Sequence, residues 1–198
     1  MTGDRTNDIA QIHALAHHVV PVFQPIVDIG SGVVVGVEAL ARFPISFADS
    51  PAPWFSKAWE VGLGVDLEVA AARAALSALE LIPTEYFMSL NFSAEALVTP
   101  HVQEMLRPVA TRVVVELTEQ SRVLDYDALV LALRGLRRIG LRLSIDDVGA
   151  GFSSLERILR LRPDIVKLDS FLTRDIEHDP AKMSLTRGLV AFTRTMSA

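Results

Sequence analysis

Five segments of this chain alternate apolar and polar residues with a period of two, and runs long enough for helices separate each from the next. Side chains two apart on a strand share a face, so each segment sorts into two sets. One set is Met88, Leu90 and Phe92; Val113, Val115 and Leu117; Leu143 and Ile145; Val166 and Leu168. These would pack against helices. The other set is Glu38 and Arg42 around Leu40; Ser89, Asn91 and Ser93; Glu116 and Thr118; Ser144 and Asp146; Lys167 and Asp169. Each segment thus aims polar groups away from the helices.

The spacing predicts strands over 22–29, 33–43, 87–93, 113–119, 142–148 and 165–171, the first two joined as a hairpin at Gly30-Ser31-Gly32. Helices are expected near 54–61, 66–82, 94–107, 125–139, 153–161 and from 181 onward, with Ile9, Ile12, Leu15 and Val19 at helical spacing before them. Strands joined through helices must run parallel. In an open doubly wound sheet both faces are covered, and the polar set would be buried without solvent. In a closed barrel that set points inward, and its members near the strand C-termini line the mouth. The predicted class is therefore α/β, a TIM-like (β/α) barrel. Eight strands usually need about 250 residues, so 198 residues lead us to expect an N-terminal helix over 1–20 and an incomplete barrel over 21–198, with about six of the eight strands and the first antiparallel.

Composition narrows the chemistry. Half of the residues are apolar, which suits a folded domain, and with no cysteine there is no disulfide, thiolate nucleophile or zinc ribbon. Net charge is −5, so no broad basic surface exists to hold a nucleic-acid polymer. The most apolar stretch, 19–37, is broken by Gln24, Asp28 and two prolines, which argues against a membrane span. Lacking a signal-like start, the chain is expected in the cytoplasm.

Taken singly, each polar residue has an ordinary structural explanation: Glu38 could pair with Arg42, and Lys167 with Asp169. Gathered at one mouth, the carboxylates would repel one another strongly unless a cation joined them. Glu38, Asn91, Glu116 and Asp146 form an all-oxygen ligand set suited to Mg²⁺ or Mn²⁺. Asp147 could reach a second ion, and a pair about 4 Å apart is a common device for activating water and neutralising a phosphodiester. Arg42 could then fork onto a phosphate oxygen. An enolase-like barrel, with carboxylate-bound Mg²⁺ and a lysine base, is also compatible with these residues.

A family resemblance adds to this reading. Phe23-Gln24-Pro25-Ile26-Val27, then Gly36-Val37-Glu38-Ala39-Leu40-Ala41-Arg42, resemble the opening of the EAL domain. Four blocks follow in the family's order: Ser89-Leu90-Asn91-Phe92-Ser93, Glu116-Leu117-Thr118-Glu119, Asp146-Asp147-Val148-Gly149-Ala150-Gly151-Phe152-Ser153-Ser154-Leu155, and Asp164-Ile165-Val166-Lys167-Leu168-Asp169. As an ordered set they are specific.

The resemblance implies a cyclic di-GMP phosphodiesterase that opens the cyclic dinucleotide to linear pGpG with two Mg²⁺ or Mn²⁺ ions. It implies that Glu38, Asn91, Glu116 and Asp146 are ligands, with Asp147 on the second ion. Lys167 would hold or deprotonate the attacking water, Glu119 would steady the loop after strand five, and Leu40 and Arg42 would contact substrate. Family members usually carry Phe and Thr where this chain has Val148 and Ala150, in a loop that couples metal binding to homodimer formation. The family's Ala-Glu-Gly-Val-Glu block of strand seven has no counterpart here. A catalytically inactive relative that binds cyclic di-GMP or a protein partner is the alternative reading. His13 and His17 have a spacing that can bind zinc, but no carboxylate base accompanies them, which argues against a metal site there.

Overall fold

The computed structural model describes residues 2–43, 50–118, 123–149 and 153–195. Its strands are β1 (Val20–Val27), β2 (Val34–Arg42), β3 (Phe87–Phe92), β4 (Val113–Leu117), β5 (Arg142–Val148) and β6 (Ile165–Leu168). They form one sheet in sequence order, antiparallel between β1 and β2 and parallel thereafter. The result is the curled partial barrel that the alternation predicts. The hairpin turn is fixed by Asp28, whose carboxylate accepts from Ser31 Oγ at 2.6 Å and Ser31 N at 2.7 Å. Those bonds, the hydroxyl's first, hold its pKa low.

Helices α1 (Thr2–His17), α2 (Ala52–Val61) and α3 (Gly64–Ser77) precede β3. Buried Ile12 and Leu15 of α1 pack with Phe43, Ala58 and Leu67, while His13 and His17 stay exposed. The helix foreseen over 66–82 begins at Gly64 and gives way after Ser77 to a 3-10 turn over Leu79–Leu81. Gly64 is required where it stands, because a Cβ there would lie 2.2 Å from the Trp59 ring.

The single helix expected over 94–107 is two, α4 (Ala94–Leu97) and α5 (Pro100–Leu106). Pro100 has no N–H to continue the first and suits the first turn of the second. The next helices, α6 (Tyr126–Arg137) and α7 (Ser153–Leu161), fall where periodicity puts them. The strand expected over 165–171 ends at Leu168, and Ser170–Thr173 turns as the short helix α8 before α9 (Pro180–Thr195). Among the described residues no helix is long and apolar enough to cross a membrane.

The main core lies between the sheet and these helices. Met88, Leu90, Phe92, Val113, Val115, Leu117, Leu143 and Ile145 are all buried in it, joined by Leu129, Leu133, Leu136 and Ile158 from α6 and α7. Val166 and Leu168 are half-buried against it. The segment entering β6 is fastened by Asp164, which accepts from Leu143 N at 2.8 Å and pairs with Arg137 at 3.3 Å.

Candidate active site

Strand register places the polar set in adjacent rows. Glu38 stands beside Ser89, Asn91 beside Glu116, and Glu116 beside Ser144. Parallel strands in sequence order keep these residues on the face away from the core.

Lys167 of β6 lies at their centre. Its Nζ is 2.7 Å from Glu116 Oε2, 3.2 Å from Glu38 Oε2 and 3.4 Å from Asp146 Oδ1. Ser89 Oγ donates to the other Glu116 oxygen at 2.5 Å, and Asn91 Nδ2 donates to Glu38 Oε1 at 3.3 Å. Glu116 is the deepest of the three acids, its side chain 2% exposed. Burial pushes its pKa up, against the pull of Lys167 and of the Ser89 hydroxyl. For Lys167, burial disfavours the ammonium, but Glu116 first, then Asp146 and Glu38, raise its pKa above that of an ordinary lysine. The lysine is therefore held as an ammonium among the three acids.

Asp146 and Asp147 are consecutive, and in a regular strand they would face opposite ways. The pairing of β5 with β6 is irregular between Ile145 and Val148, and Asp147 adopts φ 54°. This bulge lets both carboxylates line one cavity. The cavity, about 850 Å³, is bordered by Leu40, Asn91, Asp146 and Asp147 and also by Phe55, Trp59 and Glu68.

Glu68 was not foreseen from the sequence. It lies on the buried side of α3, 8% exposed, and its Oε2 accepts from Ser93 N and Ser93 Oγ, both at 2.9 Å. Burial raises its pKa to about 7, against the two Ser93 bonds. The one available signal was a glutamate among Leu67, Ala72 and Ala75 on the apolar face of an alanine-rich helix.

Several members of the polar set have other partners. Ser93 and Asp169 cap helices, Ser93 accepting from Ala96 N and Asp169 from Phe171 N, because both follow the last residue of a strand. Asp169 does not form the ion pair with Lys167 that proximity in sequence suggests; Lys167 is engaged by Glu116, Glu38 and Asp146. Arg42 donates to its neighbour Ala41 O at 2.8 Å and does not border the cavity. Glu119 and Ala150 lie outside the described residues, as does most of the loop after β2.

Glu38, Glu116 and Asp146 gather around one cationic atom, with Asn91 bonded to Glu38, and their oxygens are of the kind a hard divalent ion takes. They are spaced for an ammonium, and among the described residues no group of three acidic or histidine side chains closes to metal-holding distance.

The sequence pattern of the EAL domain matches residues 9–198. This chain belongs to the EAL domain family. Over 192 residues this EAL domain is 30% identical to the probable cyclic di-GMP phosphodiesterase PdeG of Escherichia coli, covering 90% of this chain and 38% of that protein. It spans less than half the length of each of the first curated relatives it matches. The fold is similar to an EAL domain protein from Listeria monocytogenes, with a TM-score of 0.82 at 20% identity over 96% of this chain and 79% of that one. It also resembles Klebsiella pneumoniae BlrP1 in a complex with manganese and cyclic di-GMP, with a TM-score of 0.78 at 26% identity, covering 91% of this chain and 47% of that one.

Proposed function

We propose that this EAL domain hydrolyses cyclic di-GMP to linear pGpG. The observation that carries the reading is the meeting of Glu38, Glu116 and Asp146 at Lys167 Nζ, beside a cavity large enough for a nucleotide. The named activity of PdeG and the manganese and cyclic di-GMP complex of BlrP1 support it.

Glu38, Asn91, Glu116 and Asp146 would hold a divalent ion, Mg²⁺ or Mn²⁺, with Asp147 turned toward a second; bound there, such ions supply charge neutralisation and an acidified water. Lys167 would hold the water that attacks phosphorus; to accept that water's proton it must first release its own, which ions drawing the carboxylates away from it would favour. Leu40 packs against the substrate at the cavity edge, and Arg42 swings from the Ala41 carbonyl to fork onto a phosphate oxygen. Glu119 steadies the loop after β5.

Incubating the chain with cyclic di-GMP and Mn²⁺, and separating the nucleotides, tests the reading. Release of pGpG that is lost in Glu38→Ala and in Asp146→Asn is the expected result. Turnover retained in Asp146→Asn would refute the ligand assignment. Binding of cyclic di-GMP in Ca²⁺ by calorimetry, with no pGpG formed in Mn²⁺, would make the chain a receptor instead.

A further inference from the structure

At the end of the sheet opposite the carboxylates, the last turns of α6 and α7 and the link into β6 enclose a groove of about 430 Å³. Its apolar lining is the exposed Val130 and the buried Leu133 and Leu161. Five arginines border it, out of 19 basic residues in a chain of net charge −5.

Two of the five have structural work. Arg137 donates to the carbonyls of Leu161 and Arg162, both at 2.9 Å, and pairs with Asp164. Arg160 pairs with Glu156 at 3.1 Å and lies over the Tyr126 ring, 5.2 Å from its centroid. Arg134, Arg138 and Arg162 have no side-chain hydrogen bond or ion pair among the described residues, and Glu156 and Asp164 are already taken.

A helix C-terminus attracts cations unaided, which accounts for Arg134 and Arg138 being tolerated there. It does not account for the backbone conformation of Arg162. This residue follows α7 directly and adopts φ 45°, the left-handed conformation that glycine or asparagine ordinarily supplies at a helix end. A strained backbone is thus kept at a side chain with no partner among the described residues, beside a basic groove.

We infer that this groove docks an acidic segment of a partner protein. Its carboxylates fork onto Arg134, Arg138 and Arg162, and an apolar side chain between them packs on the exposed Val130. Guanidinium groups match carboxylates in bidentate geometry. The exposed Val130 among the arginines favours a peptide over a free polyphosphate, which would gain nothing from it. The site lies at the N-terminal ends of β5 and β6, so it stands apart from the proposed hydrolysis and can fail or succeed independently of it.

The test uses the whole chain and a fluorescein-labelled peptide of Glu-Glu-Leu repeats, followed by anisotropy. Expected is saturable binding that weakens with added salt. Binding should fall by about tenfold or more in the Arg134→Gln/Arg138→Gln/Arg162→Gln variant, and likewise for a Gln-Gln-Leu peptide. No saturation, wild-type affinity in the variant, or equal affinity for the uncharged peptide overturns the inference. Tighter binding of inorganic triphosphate than of the peptide assigns the arginines to a polyphosphate and overturns it too. Arg162→Gly separates ligand from fold: it should raise Tm by about 2–4 °C while weakening the peptide. A lower Tm would remove the strain argument.

Discussion

Lys167 Nζ lies 2.7 Å from Glu116 Oε2, joining β6 to β4 across 51 residues of chain and placing an ammonium at the point where carboxylates from three strands meet. The pair binds the polar row together. It also neutralises a nearly buried acid whose charge would otherwise cost free energy.

Lys167→Met should therefore leave Glu116 buried against Glu38 and Asp146 with no compensating cation. With Lys167 itself partly exposed, the expected loss is about 1–3 kcal/mol in urea denaturation without metal. Mn²⁺ should then raise Tm more in the variant than in the wild type. An equal Mn²⁺ response in both would count against these carboxylates as ion ligands.

Glu68 gives the chain a pH dependence of definite sign. Its pKa is raised from 4.5 to about 7 on folding, so between those values the folded form binds more protons than the unfolded one. Stability falls as pH rises from about 4.5 to about 7 and is level above that range, as far as this group contributes. Glu68→Gln, which keeps an acceptor for Ser93, should flatten that slope. Urea midpoints at several pH values would show it.

Gly149 has φ 114°, and a Cβ there would lie 2.2 Å from Leu172 Cδ1. Leu172 is buried and has little room to move. Gly149→Ala should destabilise by about 1–3 kcal/mol and, by shifting the bulge that carries Asp146 and Asp147, weaken cyclic di-GMP binding measured by calorimetry. A variant that melts lower but binds unchanged would separate the bulge from the site.

Leu143, on the core side of β5, is fully buried. Leu143→Ala should cost about 2–5 kcal/mol in urea denaturation while leaving the carboxylate geometry intact. A loss under about 1 kcal/mol would mean that the helices repack over the gap.

Much of this arrangement can be read along the chain because strand geometry is local. Alternation alone assigns Met88, Leu90 and Phe92 to one face and Ser89 and Asn91 to the other, and the structure buries the first set under the helices. Element ends were harder to read. Leu168 ends β6 early, as Asp169 caps the turn that follows, and Thr99-Pro100 splits a helix whose apolar spacing runs straight through it. In both cases a capping side chain or a missing N–H outweighs periodicity.

What the sequence determined by itself is which side chains share a face and which strands carry acids, since both follow from a repeat of two residues. Only the tertiary structure decided that Lys167, 129 residues from Glu38, takes the centre of the acids. The same is true of the bulge that aims Asp146 and Asp147 into one cavity, and of Glu68, which reaches Ser93 from a helix that otherwise serves the core. These are relations between distant segments, fixed by register and packing, and no local repeat encodes them.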